Sequence, residues 1–164
     1  MAAVGKAATN RIVEMLTAPT GLPFTVAALS EYEEVELAQI SAENVAAQNV
    51  SFELAERGAG VKYPVFYVYC EGVANLLKEK FRTFSGKVYM AVEVRVSLDR
   101  LEGLGRELEL YTSGVTDVLD SHRGQWAPGM FYTGGYKVEF GPVKRGGKNL
   151  LQTAKILFEV EVSL

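Results

Sequence analysis

The residue types that carry most protein chemistry are scarce here: one histidine, His122, and one cysteine, Cys70. Nucleophilic catalysis needs a nucleophile, a base beside it and a group that orients the base. A zinc site needs three or four Cys, His or acidic ligands. One His and one Cys supply neither. His122 falls in what reads as the last turn of a helix, beside Arg123 and Gly124, where a capping role accounts for it. Cys70 ends the apolar run Val65–Cys70 and reads as a small buried hydrophobe. Alone it forms no intrachain disulfide, the pattern of a reducing compartment. Glu31, Glu33, Glu34 and Glu36 are the densest acidic group. They lack the D-x-D-x-D-G spacing of a calcium loop and read as a solvated stretch. Glu159 and Glu161 share a strand face with Lys155, where a cross-strand ladder is simpler than an acid–base pair.

Two near-motifs fail on spacing. Gly103-Leu-Gly105-Arg-Glu-Leu108 follows a strand, as a dinucleotide loop does, but Leu108 stands where the third glycine belongs and Gly103 reads as lying inside the helix. Gly141–Asn149 comes near a phosphate loop. Its spacing is off by one, no Ser or Thr follows Lys148, and a strand follows where a helix is required. No catalytic residue, metal site or cofactor is expected.

The elements that would position any site are clearer. A chain of 164 residues, 48% of them apolar, fits one domain with a real core. The net charge of −3 offers no basic field to attract nucleic acid. No apolar run reaches the ~18 residues of a transmembrane helix, and Lys6, Asn10, Arg11 and Glu14 interrupt any signal-peptide core. A cytoplasmic product with no membrane partner is the expectation. Residues 3–17 read as an amphipathic helix closed by Pro19, Gly21 and Pro23. Residues 24–60 are the least patterned stretch and are expected to form an extended arm or loop insertion. Within it Ser51–Glu56 reads as a short helix broken by Gly58 and Gly60. Val65–Cys70 reads as a strand, and Val73–Lys80 as a helical turn or two. Tyr63, Phe66, Tyr67 and Tyr69 make that strand apolar on both faces, so either it is centrally buried or another chain covers it. In Lys87–Ser97, Val88, Met90, Val92, Val94 and Val96 alternate with polar neighbours, the period of a half-buried strand. Residues 99–121 read as a long helix. Asp99 and Glu102 have capping-box spacing, and Leu101, Leu104, Leu108, Tyr111, Val115 and Val118 form its stripe. Gly103, Gly105 and Gly114 inside it cost about 1 kcal/mol each against Ala and point to close backbone approach or a kink. Two alternating runs, near Phe131–Phe140 and Gln152–Ser163, close the chain around a hairpin loop at Gly141–Asn149. The expected fold is α+β: a mixed, mainly antiparallel sheet of about four to five strands with the long helix and an N-terminal helix packed on it. Residues 1–164 form a single domain.

The segments Val61–Tyr69, Phe81–Gly86, the long alternating strand, the helix at 99–121 and the endings Tyr136–Pro142 and Ala154–Val162 together resemble tail-terminator (tail-completion) and neck proteins of long-tailed bacteriophages. The resemblance covers about residues 61–163. It implies a small α+β virion subunit, made in the host cytoplasm, that closes into a ring, typically a hexamer. Such a ring caps the tail tube, stops tail polymerisation and offers a surface for head attachment. Its partners are further copies of itself, the tube protein and the head–tail connector protein, and DNA only passes through the lumen. The family carries no catalytic residues. Contact residues are inferred from this chain alone. The basic hairpin tip Lys144, Arg145 and Lys148 is expected to meet acidic groups such as Glu31, Glu33 and Glu34 of a neighbour, with Tyr132 and Tyr136 also at an interface. Lys87, Arg95 and Lys155 are expected to line the lumen. The alternatives are a head-closure or adaptor protein of the same neck and, from another class, a small α+β enzyme with a carboxylate site.

Overall fold

The computed structural model describes residues 3–57 and 60–164. Gly58, expected to break a helix, lies outside the described residues. Four helices are described, α1 (Val4–Thr17), α2 (Leu22–Glu33), α3 (Phe52–Arg57) and α4 (Leu104–Ser121). The strands are β1 (Val45–Ala46), β2 (Val65–Asn75), β3 (Ser85–Leu98), β4 (Gly124–Ala127), β5 (Met130–Tyr132), β6 (Lys137–Phe140), β7 (Lys144–Gly146) and β8 (Asn149–Ser163). The fold is α+β, a mixed, mostly antiparallel curled sheet with helices packed on it, the N-terminal helices included. The sheet runs β1-β2-β3-β8-β5-β4, with β6 and β7 also paired to β8. Among the described residues only β1–β2 is parallel.

β3 and β8 are the spine. They pair without a break from Ser85↔Ser163 to Leu98↔Leu150. Because side chains alternate across a strand, this register puts Val88, Met90, Val92, Val94 and Val96 on the same face as Ala154, Ile156, Phe158, Val160 and Val162. All ten are buried beneath α1 and α4, together with Ile12, Leu16, Leu104, Leu108 and Val115. α2 packs as an outer layer on α4. A Cβ on Gly114 would sit 3.0 Å from Val26 Cγ2 and 3.3 Å from Thr25 Oγ1. The Thr25 hydroxyl donates to Gly114 O at 3.0 Å. The glycine is there because the two helices touch backbone to side chain.

Several expectations change. The sheet has eight strands among the described residues, not four to five. One edge of β8 is shared in turn by β7, β6 and β5, pieces of three or four residues too short to show a period. The long helix begins at Leu104, five residues after Asp99. The capping box does not form, and Gly103 occupies the N-cap at φ 82°, a left-handed backbone that glycine adopts without steric cost. Gly103 therefore lies in the turn before the helix, as a dinucleotide loop requires, yet Leu108 is fully buried in the core at the third position. Val73–Asn75 continue β2 past a bulge between Cys70 and Gly72, and no helical turn forms there. Residues 24–60 are not an arm at their start. α2 covers the first third, anchored by Pro23 in its opening turn and packed on α4. The two-sided strand β2 is central. Phe66 and Val68 face the helices, while Val65, Tyr67 and Tyr69 face a second cluster with Ala91, Ala46, Val50, Val61, Tyr63 and Leu157. The cover on that second face comes from the same chain.

Candidate functional site

The free face of the sheet, opposite the helices, gathers the charged residues that β2, β3 and β8 present at every second position. Lys87, Arg95 and Lys155 all lie on it. None of the three is a bare cation. Lys87 Nζ bonds Glu159 Oε2 at 2.6 Å, and that hydrogen bond raises the Lys87 pKa above its ordinary value. Lys155 pairs with Glu71 and lies 5.8 Å from the Tyr69 ring centroid. The Glu71 bond raises its pKa too. On β6, Lys137 and Glu139 pair at 2.8 Å, with Glu139 opposite Lys155 in register. The cations on this face are each paired, while Glu161, exposed on it opposite Lys87, has no salt-bridge partner among the described residues.

Arg95 departs from the expectation of a lumen-lining residue. It is 4% exposed, beside the cluster on which Val50, Val61 and Tyr63 pack. Its Nη2 donates to Val50 O at 2.7 Å and to Glu93 Oε2 at 2.5 Å, and its guanidinium stacks 4.6 Å from the Tyr67 ring centroid. Nε and Nη1 have no hydrogen-bond partner.

The expected interface residues separate into two kinds. Lys144, Arg145 and Lys148 are exposed on a tight hairpin whose two-residue turn uses Gly147 at φ 66°. Among the described residues no carboxylate pairs with them. Glu31, Glu33 and Glu34 are exposed at the C-terminal end of α2, and Glu33 is held by Arg106 at 3.6 Å. Within one molecule the two groups are not in contact. Tyr132 belongs to the core instead. It is fully buried, its ring centroid lies 5.2 Å from that of Trp126 and 5.6 Å from that of Phe158, and its hydroxyl donates to Gly135 O at 3.2 Å. Burial pushes its pKa up to about 12. The Thr133-Gly134-Gly135 turn separates it from Tyr136, which is 40% exposed and donates to Asp120 Oδ2 at 3.4 Å.

Sequence reasoning missed the loop 76–84 between β2 and β3. Leu76, Leu77 and Phe81 are exposed there, Phe81 completely, and Leu77 and Phe81 hold left-handed backbones at φ 46° and 64°. Beside the loop an open hollow of about 460 Å³ is lined by Glu79, Arg82, Pro128, Phe131 and Leu164. Glu79 in it is tied to Arg82 at 3.4 Å and accepts from the Ser163 hydroxyl at 2.9 Å. The signal available was a Leu-Leu pair followed by Lys-Glu-Lys, which fits neither a strand nor a helix period.

The residues with classical reactivity have structural partners. His122 caps α4, its Nδ1 lying 2.7 Å from Val118 O, and the Trp126 indole donates to His122 O at 2.7 Å. Cys70 is half-buried, not fully so, with Sγ 3.3 Å from Gly72 O. Among the described residues no three His, Cys, Asp or Glu side chains are grouped to hold a metal ion, and no single helix is long and apolar enough to cross a membrane. No protein-family model and no curated protein matches the sequence.

Proposed function

We propose that this chain is a structural subunit of a phage tail neck, a ring-forming terminator that caps the tail tube, ends its polymerisation and gives the head connector a surface to bind. The reading rests on the resemblance over residues 61–163 and on one physical observation. Opposite its helices the sheet carries a face of mostly paired charge, covered at one end by the chain itself and bounded by two unlike edges with unpaired backbone. Among the described residues β2 has no outer neighbour from Val68 to Asn75 on one side, and β6 has none on the other. Exposed strand edges are templates for pairing with another chain. Two different edges on one subunit make a head-to-tail contact, and head-to-tail contacts close into rings when the rotation allows. In such a ring the free face is the lumen wall. Alternating Lys–Glu pairs there let a polyanion pass without holding it, because phosphate binding depends on uncompensated Lys and Arg.

Electron microscopy of the protein alone and mixed with tail tubes, with light scattering for mass, tests this. Rings, or caps on tube ends that stop further growth, are the expected result. A monomer that leaves tube ends growing refutes it. Capture of the portal-side protein and not the tube would instead place the chain at the head-closure position.

A further inference from the structure

We propose that Phe81, at the tip of the loop 76–84, docks into the groove between α2 and residues 37–40 of a second copy. This rests on the ring reading and names the contact that would help to hold it. Phe81 is fully exposed, so its own molecule gives it no cover, and Leu77 beside it is also largely exposed. Both residues hold backbones that side chains disfavour. Strain of this kind persists where surrounding structure imposes it, and it gathers at binding sites. Asn75 ties the two ends of the loop together. Its Oδ1 accepts from Leu77 N at 3.3 Å and Ser85 N at 3.1 Å, and its Nδ2 donates to Thr83 O at 3.2 Å. The loop is thus pinned at its base with its apolar tip outward. It also continues directly from the unpaired edge of β2 that the ring reading assigns to a neighbour.

The groove is lined mainly by apolar side chains and edged by glutamates, opposite in charge to the lysines of the loop. It measures about 360 Å³ and is lined by Pro23, Val26, Ala27, Leu37 and Ile40, with Glu31 on its rim. Glu34 and Glu36 are exposed nearby, and among the described residues none of these three glutamates has a cationic partner. On the loop, Arg82 and Glu79 pair with each other, and among the described residues no carboxylate pairs with Lys78 or Lys80. An aromatic knob flanked by two lysines therefore fits an apolar slot flanked by glutamates. The basic hairpin 144–148 offers the charge without the knob. Because knob and slot are different patches, the contact is heterologous and each subunit uses both.

The test measures association by analytical ultracentrifugation in F81D, A27W, which fills the slot, and the double variant. Both positions are exposed, so an unchanged urea midpoint verifies folding. Each single change is expected to weaken association about tenfold or more, the effect of removing a buried aromatic anchor. The double is expected to weaken it no further than one of them, because both remove the same contact. K78E/K80E is expected to weaken association and E31K/E34K to restore it. F81D associating like the parent, or additive losses in the double, overturns the contact while leaving the ring intact. A parent protein that stays monomeric even with tube ends present overturns both.

Discussion

Replacing Tyr132 by Ala tests whether this side chain belongs to the subunit core or to a contact between subunits. In the structure it is fully buried and packs on Trp126 and Phe158 at ring separations of 5.2 and 5.6 Å. Deleting a buried aromatic costs about 3–5 kcal/mol. The two ring contacts account for about 1 kcal/mol each of that. Removing only the hydroxyl is milder. Gly135 O, which accepts its hydrogen bond at 3.2 Å, belongs to an exposed residue that water can reach, so Y132F is expected to cost about 1 kcal/mol. Trp126 is the only tryptophan and is 6% exposed, so its fluorescence reports this cluster directly. With a urea dependence of roughly 2 kcal/mol per molar, Y132A should lower the unfolding midpoint by about 2 M and Y132F by about 0.5 M. Y136A, which removes a half-exposed ring, should shift it hardly at all. A Y132A protein that unfolds with the parent but no longer associates would refute the core placement and return Tyr132 to the interface.

Three further outcomes follow from the same geometry. E93Q removes the carboxylate that, among the described residues, pairs with the buried Arg95 and should cost about 3 kcal/mol, while E93Q/R95M should recover most of it, measured by urea denaturation. G86A should cost about 3 kcal/mol by the same assay, because a Cβ at Gly86 would overlap Ala74 O and lie 2.9 Å from Ala74 C, both backbone atoms that cannot move aside cheaply. Burial raises the Glu107 pKa above its ordinary 4.5. A carboxyl raised on folding favours the native state below the unfolded value and loses that advantage as pH rises through the raised one. E107Q should therefore be more stable than the parent at neutral pH and equal to it near pH 3; equal midpoints at both would sink the argument.

The long elements were legible because each carries many turns of its own period. β3 repeats five apolar residues at every second position, α4 repeats its stripe at steps of three and four, and both register as soon as the sequence is read. The short ones were not. β5 and β7 hold three residues each and exist only because β8 offers them an edge, which is information from the tertiary structure. The start of α4 was misread for a related reason. Asp99 and Glu102 satisfy a local rule, but the chain leaving β3 at Leu98 needs several residues to turn back over the sheet, and Gly103 at φ 82° completes that turn. Tyr132 was misplaced because its neighbours Phe131 and Tyr136 are exposed and strand alternation alone does not say which face is covered. The cations show the same limit. Their common face could be read from odd numbering, whereas their carboxylate partners come from other strands through register: Glu159 for Lys87 and Glu71 for Lys155.

That pairing bears on what the face can do. An isolated lysine on a wall facing DNA binds phosphate and releases counterions, so a ring of them would grip the polymer and slow its exit. A lysine held 2.6 Å from a glutamate has already spent its charge locally, and beyond a Debye length of about 8 Å the pair is nearly invisible. Such a face tolerates close approach of a polyanion without retaining it. Among the described residues, unpaired charge also gathers away from this face: positive at Lys78 and Lys80 on the loop and at Lys144, Arg145 and Lys148 on the hairpin, negative at Glu31, Glu34 and Glu36. On the ring reading, charges left free on these separate patches would attract other protein surfaces at the periphery, while the paired lysines would give the wall little hold on phosphate. This distribution suits a subunit whose work is to assemble, and it favours a conduit over a site that retains what passes.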